Sequence, residues 1–443
     1  AAPVYAAQRT CLSPVRQMDT PIVSLVSETG NDDLETYVLD LHDAILADDV
    51  KDLEELFDDA VEHGYHVTDL CYHPVVLDEE PPDYPINALH RAASVGSTTT
   101  LSKMLVRADL DVNVGVASTE ATPLHLAATA AHYPMVNFLA SNGAQMNQAD
   151  RHGRTALHEA SQRGHCDVCK LLLLKGSQID SRDCLGQTPL HLAAGHGHHQ
   201  LVRYLLKKRA NADARDKQGR TPLLLAQTAP NASDVTSALL AYDVNVNAVD
   251  HCGQTALHKA SALPYSTESW EKVASSVTAL SEAGGDVNAP DVDGWRPLHL
   301  AATHGNSPMV SLLLNQGAEP DVISKEMETP LMIATSQSCV EILVESGASV
   351  TKTSASRQQP STSSVRRERS QLMFAGFYWR KAQMQTRQTT KTHWLYITRV
   401  QTVRLQEMKG QCIVCCSLRM TLTGGTQTET LPCTMHCLLE TYL

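Results

Sequence analysis

Three groups of residues in this chain could do chemistry. Toward the C-terminus stand Cys412 and Cys415, spaced Cys-x-x-Cys, and then Cys433 and His436, spaced Cys-x-x-His, with Cys416 and Cys437 alongside. That spacing suits a tetrahedral zinc site. The surrounding sequence lacks the aromatic and glycine framework of a small zinc module, so a disordered tail or a mis-predicted coding region fits the same segment. A second pair, Cys166 and Cys169, also reads Cys-x-x-Cys. A redox motif of that form needs a thioredoxin-like βαβ context, which the sequence does not offer. Two packing thiols on a helix fit better. The third group is histidine. His90, His125, His158, His191, His258 and His299 each follow a leucine. Their number invites a metal, but zinc needs its ligands about 2 Å from one ion, and these histidines fall one to each unit of a repeat.

The repeat is what positions them. A Thr-Pro-Leu-His element and its variants start at Thr122, Thr155, Thr188, Thr221, Thr255, Arg296 and Thr329. A fixed period near 33 residues marks a stacked array. Within the unit opening at Asp183, Thr188 can cap a helix and Pro189 fits its first turn, where a missing N–H costs nothing. Leu190, Ala193 and Ala194 share one face of that helix. Leu201, Tyr204, Leu205 and Leu206 make the apolar stripe of a second helix. Gly143, Gly176, Gly285, Gly317 and Gly347 follow such stripes and predict left-handed helix ends. Gly153, Gly186, Gly219, Gly253 and Gly294 fall in turns.

The unit resembles the ankyrin repeat, over roughly residues 83–352, most closely in the units starting at Asp150, Asp183 and Asp291. The resemblance implies an all-α solenoid of stacked helix pairs joined by β-hairpin loops, with an irregular C-terminal tail. It implies that the histidines hydrogen-bond the backbone of adjoining turns. It further implies a protein partner held on a concave face. Mapped onto this chain, that face takes Arg151, His152, Arg154, Gln162 and Arg163, then Leu185, Gln187 and His196. Lys217, Gln218 and Arg220 come next, then His251, Gln254 and Lys259, and finally Asp293, Trp295 and His304. Arg151, Arg154, Arg163, Lys217, Arg220, Lys259, Trp295 and His304 are the expected partner contacts: a basic strip anchored by a Trp exposed at a turn tip. Asn113, Asn247 and Asn288 resemble asparagines that a hydroxylase modifies in this family, although Asn is also a good turn residue.

Two units depart from the pattern. About eight extra residues, Leu263 to Trp270, separate the helices of the unit at Asp250, and such insertions often make contacts. The unit at Asp83 lacks Thr-Pro. The expected organisation is a disordered segment over 1–33, a degenerate acidic capping repeat with its loop over 34–82, about eight repeats over 83–352, and a basic tail of low order over 353–443. The loop is placed at Thr68–Pro85.

Net charge is −13, unevenly divided. From Thr351 onward stand 13 Lys or Arg against 4 Glu, whereas residues 28–62 hold 14 acids and one base, Lys51. An array this acidic is a poor ligand for nucleic acid. No run of 18 apolar residues occurs, so no membrane insertion is expected. The first 30 residues lack an apolar signal core, and cytoplasmic or nuclear residence follows. No Gly-x-x-x-x-Gly-Lys, Gly-x-Ser-x-Gly or His-Glu-x-x-His is present, and no cofactor is expected. The leading function is therefore a non-enzymatic scaffold binding a protein, with an acidic segment as its ligand. The alternative is a substrate-recognition subunit of a cullin-type ubiquitin ligase, although no convincing recruiting box precedes the final Leu438–Leu443 stretch.

Overall fold

The computed structural model describes residues 31–74, 86–266 and 270–349. These all fall in one compact unit within residues 1–359. The tail, with its candidate zinc ligands Cys412, Cys415, Cys433 and His436, lies outside the described residues.

The described chain is helical. It opens with α1 (Asn31–Ala47), α2 (Val50–Glu62) and α3 (Val67–Tyr72). Helix pairs follow: α4 (Ala88–Val95) and α5 (Thr98–Arg107), α6 (Pro123–Thr129) and α7 (Tyr133–Ser141), α8 (Ala156–Arg163) and α9 (Cys166–Leu174), α10 (Pro189–Gly195) and α11 (His199–Lys207). The series continues with α12 (Pro222–Ala226) and α13 (Ala232–Leu240), α14 (Ala256–Ser261) and α15 (Trp270–Glu282), α16 (Pro297–Thr303) and α17 (Ser307–Asn315), α18 (Pro330–Ile333) and α19 (Gln337–Glu345). First helices stack on first helices from α4 to α18, and second helices run alongside them. The α1–α2 pair stacks on α4 and α5 in the same way. Residues 68–72, expected in a loop, are helical in α3. Leu70 and Cys71 of that helix are fully buried, and this burial orders the segment.

Small residues allow the close stack. Ala92, Ala93, Ala127, Ala128, Ala193, Ala194, Ala301 and Ala302 have no exposed surface. Leu139, Leu172, Leu205, Leu239, Leu280 and Leu313 fill the layer between first and second helices with no exposed surface. Cys169 belongs to this layer, fully buried, with burial pushing its thiol up to about 12. A thiol so hard to ionise is a packing group and a poor nucleophile.

The histidines tie each repeat to the next. The backbone N–H of Thr122 donates to Nδ1 of His125 at 3.1 Å, and the Nε2 of that ring meets the carbonyl of Arg154 at 2.9 Å. The same pair of bonds joins His158 to Thr155 and Gln187, His191 to Thr188 and Arg220, and His258 to Thr255 and Trp295. His299 repeats it with Arg296 and Glu328. Because Nδ1 accepts an N–H, it is bare, so Nε2 carries the proton and donates it to the next repeat. Where the histidine is replaced, by Leu224 and Met332, the hydroxyls of Thr221 and Thr329 are buried without a partner.

A second set reaches backward. Nε2 of His132 meets the carbonyl of Ser94, His165 that of Thr129, and His198 that of Gln162, all at 2.8–3.0 Å. The rings of His132 and His198 sit on Gly96 and Gly164, the left-handed residues that end the preceding first helices. A Cβ on Gly164 would clash with the His198 ring. Ala131 occupies the corresponding left-handed position at φ 64°. Gly284, not Gly285, supplies the positive φ after α15. Gly143, Gly176, Gly317 and Gly347 do so where expected.

Two predictions follow from this architecture. Gly164→Ala should destabilise by about 2 kcal/mol or more through left-handed strain and the His198 clash, while Ala131→Gly should stabilise by about 1 kcal/mol. Urea denaturation of both variants checks this. The second concerns pH. Burial lowers His158 and His299 from 6.5 to about 4 and also lowers His125, His191 and His258. The unfolded chain therefore binds protons below pH 6.5 that the folded array refuses. Stability is complete above that pH and falls as pH drops from 6.5 toward 4, by about 1.4 kcal/mol per pH unit for each of His158 and His299, and the other three act in the same direction. His158→Gln should be less stable at pH 7 yet show a shallower acid slope in the same titration.

Candidate protein-binding surface

The turns that precede each first helix form one edge of the stack. Five of them open on an aspartate whose Oδ1 accepts two backbone N–H groups. Asp150 accepts from His152 and Arg154, Asp183 from Leu185 and Gln187, and Asp216 from Gln218 and Arg220. Asp250 and Asp291 do the same with Cys252 and Gln254, and with Asp293 and Trp295. The turn glycines Gly153, Gly186, Gly219, Gly253 and Gly294 lie at φ 72–76°. One backbone bond then links each turn to its neighbour: the N–H of Cys184 donates to His152, Lys217 to Leu185, His251 to Gln218, Val292 to Cys252 and Lys325 to Asp293. These bonds, and not a strand ladder, hold the hairpin tips among the described residues.

On the opposite side of each hairpin, asparagines clamp neighbouring repeats. Asn113 donates from Nδ2 to the carbonyl of Gly143 and accepts the N–H of Gln145. Asn247 and Asn288 make the matching pairs with Gly284 and Asp286, and with Gly317 and Glu319. All three side chains are thus built into the array.

The basic residues of the expected strip, in the turns and on the first helices, divide into two kinds. Arg154, Arg220 and Lys259 are half-buried and already paired. Arg154 contacts Glu159 at 3.3 Å and Asp183 at 3.9 Å, and donates to Gln162 at 2.8 Å. Arg220 pairs with Asp216 at 2.7 Å, and Lys259 with Asp250 at 2.8 Å. Burial raises Asp183, whose Arg154 neighbour is distant; it would raise Asp250 too, but the hydrogen bond from Lys259 reverses the shift and holds that carboxyl low. Arg151, Arg163 and Lys217 are exposed, and they make no ion pair among the described residues. Arg151 keeps one bond, from Nη1 to the carbonyl of Ser118.

Trp295 corrects an expectation. It is half-buried rather than exposed at the tip, with its ring 6.0 Å from that of His299. Its carbonyl accepts from His258, so packing accounts for it. His304 is exposed, with Nδ1 donating to the carbonyl of Leu300. Leu185, which the sequence placed on this face, is 37% exposed, and three further apolar residues of the edge are exposed: Val292 at 52%, Ile323 at 43% and Met327 at 44%. Sequence reasoning missed these three. The available signal was substitution against the repeat, because Val292 stands where Lys217 and His251 stand in other turns, and Met327 stands where those turns have glycine.

Among the described residues, no group of His, Cys, Asp or Glu could hold a metal, and no helix is long and apolar enough to cross a membrane.

Replacing a paired cation should cost stability, and replacing an exposed one should not. Arg154→Ala should lower stability by about 1–2 kcal/mol, because it leaves buried Asp183 without its guanidinium. Arg151→Ala and Lys217→Ala should stay within about 0.5 kcal/mol of the parent. Thermal or urea unfolding separates the two kinds.

Comparison with known proteins bears on the same residues. The family model for ankyrin repeats (3 copies) matches residues 41–150, 89–183, 157–250 and 267–354. The chain is 32% identical over 103 residues to an ankyrin and IPT/TIG repeat-containing protein of Schizosaccharomyces pombe, 23% of this chain and 8% of that protein. It is 32% identical over 99 residues to human BCL-6 corepressor-like protein 1, 22% of this chain and 5% of that protein. It is 46% identical over 59 residues to mouse 2-5A-dependent ribonuclease, 13% of this chain and 8% of that protein. The chain thus covers less than a tenth of each of these relatives. A crystal structure of the ankyrin repeat domain of Bcl-3 aligns at 29% identity and a TM-score of 0.43, covering 51% of this chain and 98% of that one. With the repeat-to-repeat histidines, the aspartate turns and a family match over more than half its length, the chain belongs to the ankyrin repeat family, whose repeats serve protein–protein interaction and are in general not enzymatic.

Proposed function

We propose that this chain is a non-enzymatic scaffold or adaptor that holds a partner protein along its turn edge. The observation that carries the reading is the division of the turn cations. Arg154, Arg220 and Lys259 are consumed in holding the turns, whereas Arg151 and Lys217 project from the turns and Arg163 from the last turn of α8. Long flexible cations without an internal carboxylate are solvated at little cost and can exchange water for a partner's carboxylates. They lie in the units opening at Asp150 and Asp216. The exposed Val292, Ile323 and Met327 lie further along the array. A partner complementary to both is acidic at one end and apolar at the other. Acidic residues would steer its approach, and the apolar end would set its dwell time.

The test is affinity capture from cells with the full chain and a form carrying Arg151→Glu, Arg163→Glu and Lys217→Glu, read by mass spectrometry. Prey recovered by the parent should be lost from the charge-reversed form while the two thermal midpoints agree. Raising salt from 50 to 500 mM should also release it. Prey retained by the charge-reversed form would exclude this edge as the site.

A further inference from the structure

The insertion in the unit at Asp250 builds a cavity of its own. At the end of the helices away from the turns, a cavity of about 290 Å³ opens between Thr228–Ala232 and the inserted segment. Its floor includes the buried Ala232, and Pro230 and Pro264 form exposed shoulders. Tyr265 and Trp270 line it as an aromatic pair, with ring centroids 6.0 Å apart and planes at 56°. Tyr265 is 47% exposed, so much of this apolar surface faces solvent. At the rim, Lys272 is exposed, and its Nζ donates to Oδ1 of Asn231 at 3.2 Å. No carboxylate among the described residues pairs with that ammonium.

We propose that this cavity is a docking site for an extended, proline-containing acidic segment of a partner protein, distinct from the turn edge. The chemistry fits on three counts. The two tilted rings pack against each other and present one continuous apolar shelf on which a pyrrolidine ring can stack, and an extended proline-rich strand arrives already ordered, so little conformational entropy is lost on docking. Tyr and Trp combine a large apolar body with a polar tip, which suits a site half open to water. Lys272, fixed at the rim by Asn231, presents a charge that neutral proline leaves unanswered and a flanking Glu or Asp would meet. The last point selects an acidic partner over a basic one.

Fluorescence anisotropy of the full chain tests this with three labelled peptides: Glu-Pro-Pro, Lys-Pro-Pro and Glu-Ala-Ala, each repeated in tandem. The acidic proline peptide should bind at least about tenfold more tightly than either control. Lys272→Glu should reverse the preference between the acidic and basic proline peptides. Trp270→Ala and the more exposed Tyr265→Ser should each weaken binding by about tenfold or more, with Tyr265→Ser keeping the parent thermal midpoint. Equal binding of the alanine peptide, or binding unchanged in Tyr265→Ser, would overturn the proposal. So would the absence of peptide binding together with self-association lost in Lys272→Glu, which would give the cavity to a second copy of the chain. The Arg151, Arg163 and Lys217 charge reversal should leave peptide binding intact, so failure here is separable from failure of the turn-edge reading.

Discussion

A neutral imidazole bridging two repeats is the interaction on which this structure rests. In five units the ring accepts an N–H at the start of its own helix and donates to a carbonyl about 29 residues later, or 37 across the insertion. One side chain thus caps a helix and fixes the spacing to its neighbour. A repeat cannot bury both of its faces alone, and a short first helix of seven residues or so is marginal in water. The bridge couples the two problems, since the helix forms where its neighbour is present to receive the proton. It works because burial keeps the ring uncharged.

Much of this was legible in the sequence. The period, the Thr-Pro starts and the alternation of Ala-rich and Leu-rich stripes give the stack directly, because each reflects local backbone chemistry repeated with small error. The turn glycines were legible for the same reason. What escaped was whatever depends on an atom's neighbour in another repeat. Arg154 and Arg151 look alike as letters, yet one lies between Glu159 and Asp183 and the other faces solvent. Trp295 reads as a tip residue by position but folds back toward His299. Gly284 and Gly285 are adjacent, and the sequence cannot say which takes the left-handed turn.

The two kinds of surface place different demands on the fold. A cation that holds a turn must keep its carboxylate, so its identity is fixed by stability. A cation that meets a partner is free to change without unfolding anything. The paired set confers shape on the edge, and the exposed set gives it sign. The insertion adds a third arrangement at the far end of the helices, where Gln227, Thr236 and Ser276 form a buried hydrogen-bonded cluster between α12, α13 and α15.

That cluster sits at the junction where Leu224 stands in place of the bridging histidine. Elsewhere the seam between repeats is stapled near the start of the first helix, and here its side-chain fastening shifts toward the second helices. In a solenoid whose stability is a sum of nearest-neighbour terms, a seam fastened differently is a point of different stiffness. Load along the axis would there pass mainly through the second helices, α13 and α15, instead of through a histidine bridge between first helices. The cavity beside Tyr265 and Trp270 is lined by Ala232 of α13 and Val273 of α15, so it lies against the same pair of helices that carries this seam.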